Sequence, residues 1–308
     1  MSRIAPLSLD DMFRVVDQVH REHGIAYLIP GDLHLWGARG GNLSSLFFRL
    51  LQEIPYRKVV VLGDLFDGNR HERETMSDRQ VLEHLRLLDV ADRLHIVRGN
   101  HDRALLRVPE LIAKRARRVP VFGEAGVPML MDWLVRPRTF SDVVYTRVDD
   151  VEYGVGDTAH PGSSDVLVLR VGTKNVLFEH GDAYDSWVRR THTGSVLTGV
   201  GKCAYDLMVR IEKNHTSLAD LSGTLKQKVS VWRGVCHAVA VGAHARGSAL
   251  AHPIHATVSG HTHYPGYIPF GEVPHVNVGS FRGYRPSFVL VTERGDVLPP
   301  IVVQCGRK

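Results

Sequence analysis

Val59-Val60-Val61-Leu62-Gly63-Asp64 is the stretch from which the rest of this chain can be read. An apolar run without polar alternation suits a strand buried on both faces. It stops at a glycine, and a carboxylate follows at once. The same unit recurs along the chain. Ala26–Ile29 leads into Gly31-Asp32-Leu33-His34, and Leu94–Val97 into Gly99-Asn100-His101-Asp102. Val176–Phe178 leads into His180-Gly181-Asp182, and Ala256–Val258 into Gly260-His261-Thr262-His263. Between the first three units, Leu43–Glu53 and Ser77–Leu88 carry helical periodicity. Strand–helix–strand succession predicts a mainly parallel sheet, whose ligands gather beyond the carboxyl ends of the strands. All five polar clusters fall at such ends.

Outside these units the pattern changes. Ser8 and Asp11 have the spacing of a helix cap, Met12, Phe13, Val16 and Val19 share one face, and Gly24 is a stop signal. Residues 104–165 interrupt the succession with the basic run Lys114–Arg118 and a Gly/Asp/Ser-rich stretch, Gly154–Asp165, that reads as a loop. Residues 184–254 read as helical. There Ser217 and Asp220 have cap spacing, and Leu221, Leu225, Val229, Trp232, Cys236 and Ala240 recur every three or four residues. The tail, Pro274–Gln304, offers short strands broken by the turn Arg294-Gly295-Asp296.

The 308 residues are 44% apolar and 23% charged, a composition that excludes a largely disordered chain. No apolar run approaches the roughly 20 residues of a membrane-spanning helix. The start lacks the apolar core of a secretory signal, so a cytoplasmic location is expected. The three cysteines form no CxxC pair, which excludes a thiolate zinc site and a disulfide framework. A net charge of +5, from 38 Lys and Arg against 33 Asp and Glu, suits an anionic partner without selecting one.

Side by side, the clusters supply Asp32, His34, Asp64, Asn100, His180, His261 and His263. Seven oxygen and nitrogen donors exceed the needs of one tetrahedral ion and fit two cations sharing a bridging carboxylate. Without thiolates the set points to Mn²⁺, Fe or Zn²⁺, Mn²⁺ first. Such a pair lowers the pKa of bound water and holds a phosphoryl group in line for attack.

The ordered series Asp32-x-His34, Gly63-Asp64-x-x-Asp67, Gly99-Asn100-His101-Asp102, His180 and Gly260-His261-x-His263 resembles the signature of calcineurin-like metallophosphoesterases. The resemblance implies an α/β fold, a four-layer α-β-β-α sandwich. We expect a helical cap at 184–254 inserted between core parts 1–183 and 255–308. It implies one ion on Asp32, His34, Asp64 and His263, and a second on Asp64, Asn100, His180 and His261. It also implies that His101, oriented by Asp102, faces the substrate, stabilising phosphoryl charge or protonating the leaving group. Asp67 and Asp182 are then candidates to hold neighbouring ligands by hydrogen bonds. The implied reaction is hydrolysis of a phosphate ester or diphosphate by metal-bound hydroxide.

Within the family, the HGD and GHTH turns and the long segment before the last of them are similar to bacterial UDP-2,3-diacylglucosamine pyrophosphatases. That subgroup implies a nucleotide–lipid substrate at the inner face of a membrane, but typically carries Arg where this chain has His101. A phosphorylated small molecule is the broader expectation. Nucleic acid is not expected, since one short basic run makes a poor electrostatic footprint. A catalytically silent scaffold would be expected to lack ligands, and here the set is complete. The oligomeric state is left open.

Overall fold

The computed structural model describes residues 4–33, 44–65, 93–100, 141–148, 151–154, 163–184, 223–281 and 286–305. His34, Asp67, His101, Asp102, the helix expected at Ser77–Leu88, the run Lys114–Arg118 and the Ser217–Asp220 cap lie outside them.

Helix α1 (Leu9–His23) starts where its cap spacing predicts, with the Ser8 hydroxyl accepting the Asp11 N–H at 3.1 Å. It ends at Gly24, whose φ of 67° is open to glycine and whose N–H donates to the His20 carbonyl at 2.9 Å. Met12 and Val16 are buried, with Phe13 and Val19 packed beside them. Helix α2 (Ser44–Glu53) adds Leu46, Phe47 and Leu50 to the same cluster.

The first sheet starts with β1 (Ile25–Pro30), β2 (Lys58–Leu62) and β3 (Leu94–Val97). The chain continues with β4 (Val143–Val148), β5 (Val151–Tyr153), β6 (Ser163–Ser164), β7 (Val166–Val171), β8 (Lys174–Glu179) and β9 (Ala256–Ser259), of which β6 joins the first sheet and the rest the second. The last four are β10 (Gly266–Ile268), β11 (His275–Asn277), β12 (Ser287–Thr292) and β13 (Ile301–Val302). One sheet runs β13-β12-β1-β2-β3-β6 and the other β10-β11-β9-β8-β7-β4-β5.

Burial on both faces accounts for the missing alternation in the central strands. Leu28, Val59, Val61 and Ile96 face α1 and α2. Tyr27, Ile29, Val60, Leu62 and Val97 face the other way, onto Leu167, Val176, Phe178, Ala256 and Val258 of the second sheet. Helix α3 (Gly223–Ala249) covers the far face of that second sheet, with Val239, Ala240 and Ala243 fully buried. The four layers are thus helix, sheet, sheet and helix. Cys236 and Ala240, expected on one apolar stripe, are both buried; the side chains before residue 234 lie outside the described residues.

Two expectations change. The parallel arrangement holds for β1-β2-β3-β6 and for β8-β9-β11, but β12, β13, β7, β4, β5 and β10 pair antiparallel. The reason is local: turns such as Gly172-Thr173 between β7 and β8 are too short for a crossover. The stretch read as an interruption also builds sheet: β4 and β5 form one edge of the second sheet, and Ser163-Ser164, read as loop, pairs with β3.

Candidate metal centre

The parallel strands β1, β2 and β3 deliver Asp32, Asp64 and Asn100 to one edge of the first sheet, and β8 and β9 deliver His180, His261 and His263 to the second. In the second sheet Glu179 lies opposite Ser259, so the two turns leave side by side and the Gly260 N–H donates to the His180 carbonyl at 3.1 Å. Asp32 is pinned by its backbone: its N–H donates to the Gly279 carbonyl at 3.2 Å, and its own carbonyl accepts from the Phe281 N–H at 3.0 Å and the Ser280 hydroxyl at 3.2 Å.

Six of the seven expected ligands therefore converge; His34 lies outside the described residues. Donor atoms of Asp32, Asp64 and His180 lie within 4.8 Å of one another, and all three residues are buried. His180 Nε2 stands 3.2 Å from Asn100 Oδ1 and 3.5 Å from Asp64 Oδ1. His263 Nε2 is 3.1 Å from Asp32 Oδ2, which also accepts the His261 N–H at 3.0 Å. The His180 and His261 rings meet edge to face, centroids 5.1 Å apart.

Three features show that this set suits a cation. His180 Nδ1 lies 2.6 Å from the Leu62 carbonyl, which can only accept, so Nδ1 carries a proton. In the neutral ring the Nε2 lone pair then faces two oxygen acceptors, an arrangement that repels until a positive charge enters. Asp32 Oδ1 is buried and, among the described residues, has no hydrogen-bond partner. Burial, above all, holds the Asp32 carboxyl above the usual carboxylate range; His180 pulls it down and the nearby Asp64 charge pushes it further up. A divalent ion would relieve all three at once.

The backbone is bent to the same end. Among the described residues the non-glycines with positive φ are Asp64 (47°), His261 (66°) and His263 (57°), every one an expected ligand. Strain of this kind gathers at functional sites. The glycines before the ligands leave room for them: a Cβ at Gly99 would run into Asp64 Oδ1, and one at Gly260 into Asp32 Oδ1.

Asp182 is buried in a single 3₁₀ turn, Asp182–Tyr184, and its charge raises the neighbouring Glu179 carboxyl. Sequence reasoning missed several supports. Asn277 Nδ2 donates to the Gly260 carbonyl at 2.7 Å and to Ser259 Oγ at 3.1 Å, while its Oδ1 accepts the Gly279 N–H at 3.1 Å. Glu179, just before His180, is buried and accepts from the Tyr184 hydroxyl at 2.9 Å. Burial pushes its carboxyl up to about 7 against the pull of Arg246. A signal for Asn277 existed: the His275–Asn277 strand runs into a Gly-Ser pair, a sixth copy of the strand-then-polar unit.

Comparison with known proteins follows the same line. The family described as Calcineurin-like phosphoesterase matches residues 25–265. Comparison with curated proteins gives no match. Among solved structures, a dimetal phosphatase from Danio rerio is 12% identical with a TM-score of 0.41, covering 92% of this chain and 100% of its own. Yfce, a phosphoesterase from E. coli, is 14% identical with a TM-score of 0.38, over 90% of this chain and 99% of its own. Vps29 from Chaetomium thermophilum is 13% identical with a TM-score of 0.39, over 92% and 98%.

Proposed function

The chain belongs to the calcineurin-like phosphoesterase family, and we propose that it hydrolyses a phosphate ester or diphosphate bond with two divalent cations, Mn²⁺ first. The observation that carries this reading is the buried set Asp32, Asp64 and His180, its donor atoms within 4.8 Å of one another, with Asp32 Oδ1 lacking a hydrogen-bond partner among the described residues.

In this reading Asp32, His34 and His263 hold one ion, Asn100, His180 and His261 the other, and Asp64 bridges. Bound there, the cations supply an acidified water and a positive template for phosphoryl oxygens. The protein's own groups do the rest. Leu62 fixes the His180 tautomer through its carbonyl. Asn277 and Ser280 hold the backbone of the Gly260 and Asp32 turns. His101, oriented by Asp102, gives a proton to the leaving oxygen, which would otherwise depart as an alkoxide.

The proposed substrate class is a phosphorylated small molecule, with the cytoplasm as the proposed location. A narrower reading, a nucleotide–lipid diphosphate met at the inner membrane face, draws support from the HGD and GHTH turns and the long segment between them. Turnover of UDP-diacylglucosamine well above that of simple esters would select it.

The test is Asp64→Ala assayed with Mn²⁺ on p-nitrophenyl phosphate and its bis ester. Losing the bridge removes several kcal/mol of charge stabilisation, so turnover should fall at least about 10³-fold. A variant with wild-type turnover overturns the assignment.

A further inference from the structure

We propose that α3 braces the two turns carrying His180, His261 and His263, with Arg246 as its positioning residue; this rests on the two-cation reading above. Cys236, Val239, Gly242 and Arg246 follow one another at three- and four-residue steps, so they form one stripe along the helix. Each meets the turns or the residues beside them. The hydroxyl of Thr262, the fully buried residue between His261 and His263, donates to the Cys236 sulfur. Val239 Cγ1 lies 2.8 Å from where a Gly181 Cβ would sit, directly after His180. Gly242 lets the Tyr184 ring lie flush on the helix, where any side chain would collide with it.

Arg246 closes the stripe. Its Nε donates to the Tyr184 hydroxyl at 2.6 Å and lies 3.1 Å from Glu179 Oε2, while its guanidinium sits 5.4 Å from the Tyr184 ring centroid. Tyr184 in turn reaches both Glu179 carboxylate oxygens at 2.9 Å. Glu179 ends β8 and is peptide-bonded to His180. Successive strand residues point to opposite faces, so anchoring the Glu179 side chain under α3 sets the direction in which His180 leaves the sheet. Asp182 and Arg147 also act on Glu179, the first opposing and the second assisting Arg246. Removing Arg246 leaves a buried carboxylate without its contacting cation, one residue from a metal-facing imidazole.

The experiment titrates the full chain, stripped of metal, with Mn²⁺ by calorimetry. Arg246→Met should weaken one Mn²⁺ equivalent about tenfold or more, the range found for partners that orient metal ligands. The double variant Glu179→Gln with Arg246→Met, in which both charges are gone, should return to within about threefold of wild type on the same scale. Met12→Ala, a core truncation in α1 on the opposite outer layer, should keep wild-type affinity. If Arg246→Met fails to fold, Arg246→Lys takes its place, with a loss of about twofold to fivefold on that scale. Unchanged affinity in the Arg246 variant, no recovery in the double variant, or an equal loss in Met12→Ala overturns the brace. A wild-type chain that takes up no Mn²⁺ overturns the two-cation reading and the brace with it.

Discussion

The two ends of the β-sandwich carry similar residues in opposite states. At the amino ends of β1, β2 and β3, Asp142 is surrounded by donors: Lys58 Nζ at 2.7 Å, His95 Nε2 at 3.2 Å, and the Tyr27 hydroxyl. Burial alone would raise its carboxyl, but His95, Lys58 and Tyr27 outweigh that and hold it well below the usual carboxylate range. At the carboxyl ends, Asp32 keeps one buried oxygen without a hydrogen-bond partner among the described residues, and burial drives its carboxyl upward. Both ends set a carboxylate beside an imidazole, Asp142 half-buried and Asp32 fully buried. At Asp142 the protein supplies its own donors, and the contact serves stability. At Asp32 one buried oxygen is left unmatched among the described residues, a position a cation can fill.

The sharpest way to break this contrast is to mutate each end and read both stability and metal uptake. Asp32→Asn should leave the metal-free melting temperature unchanged or higher, because it removes a buried charge whose Oδ1 has no partner among the described residues. Mn²⁺ at a hundredfold excess over Kd should stabilise the wild type by about 2.7 kcal/mol per ion and the variant by far less. A large metal-free destabilisation of Asp32→Asn would mean that the carboxyl end is also satisfied internally.

Asp142→Asn should behave in the opposite way. It takes the Asp142 charge away from the donors Lys58, His95 and Tyr27, so it should cost about 2–4 kcal/mol in urea melts while Mn²⁺ uptake stays normal. The same pair gives a pH test. The Asp142 carboxyl is more acidic folded than unfolded, so between those values the unfolded chain binds the extra proton. Its contribution is therefore complete above about pH 4 and fades as pH falls below it. The stability gap between wild type and Asp142→Asn should shrink from pH 5 to about pH 2.5; a constant gap would contradict the assignment. The smallest effect is expected from Asn277→Ala, which removes one donor to the Gly260 carbonyl and leaves the Thr262 N–H: about a tenfold loss of Mn²⁺ affinity by calorimetry and about 1 kcal/mol of stability.

The contrast also separates what was legible in the sequence from what was not. The helix start at Ser8, its stop at Gly24 and the five short apolar strands depend on neighbours a few residues apart, and they stand in the fold as read. Asp142 was invisible, because its partners Tyr27, Lys58 and His95 come from three other strands. Strand β4, Val-Val-Tyr-Thr-Arg-Val, escaped notice because its place depends on pairing with β7, not on its own pattern. Glu179 passed unremarked between Phe178 and His180, since nothing local shows that Arg246 will reach it. The ligand residues themselves were recognisable, but their left-handed backbone was not: Asp and His are ordinary letters until the turn is seen.

That bent backbone has a further meaning for the history and engineering of the chain. Asp64, His261 and His263 occupy a conformation that glycine and asparagine tolerate far better. Selection for thermal robustness alone would drift these positions toward such residues and yield sturdier but inert proteins. A randomised library screened only for folding should discard aspartate and histidine at these positions first.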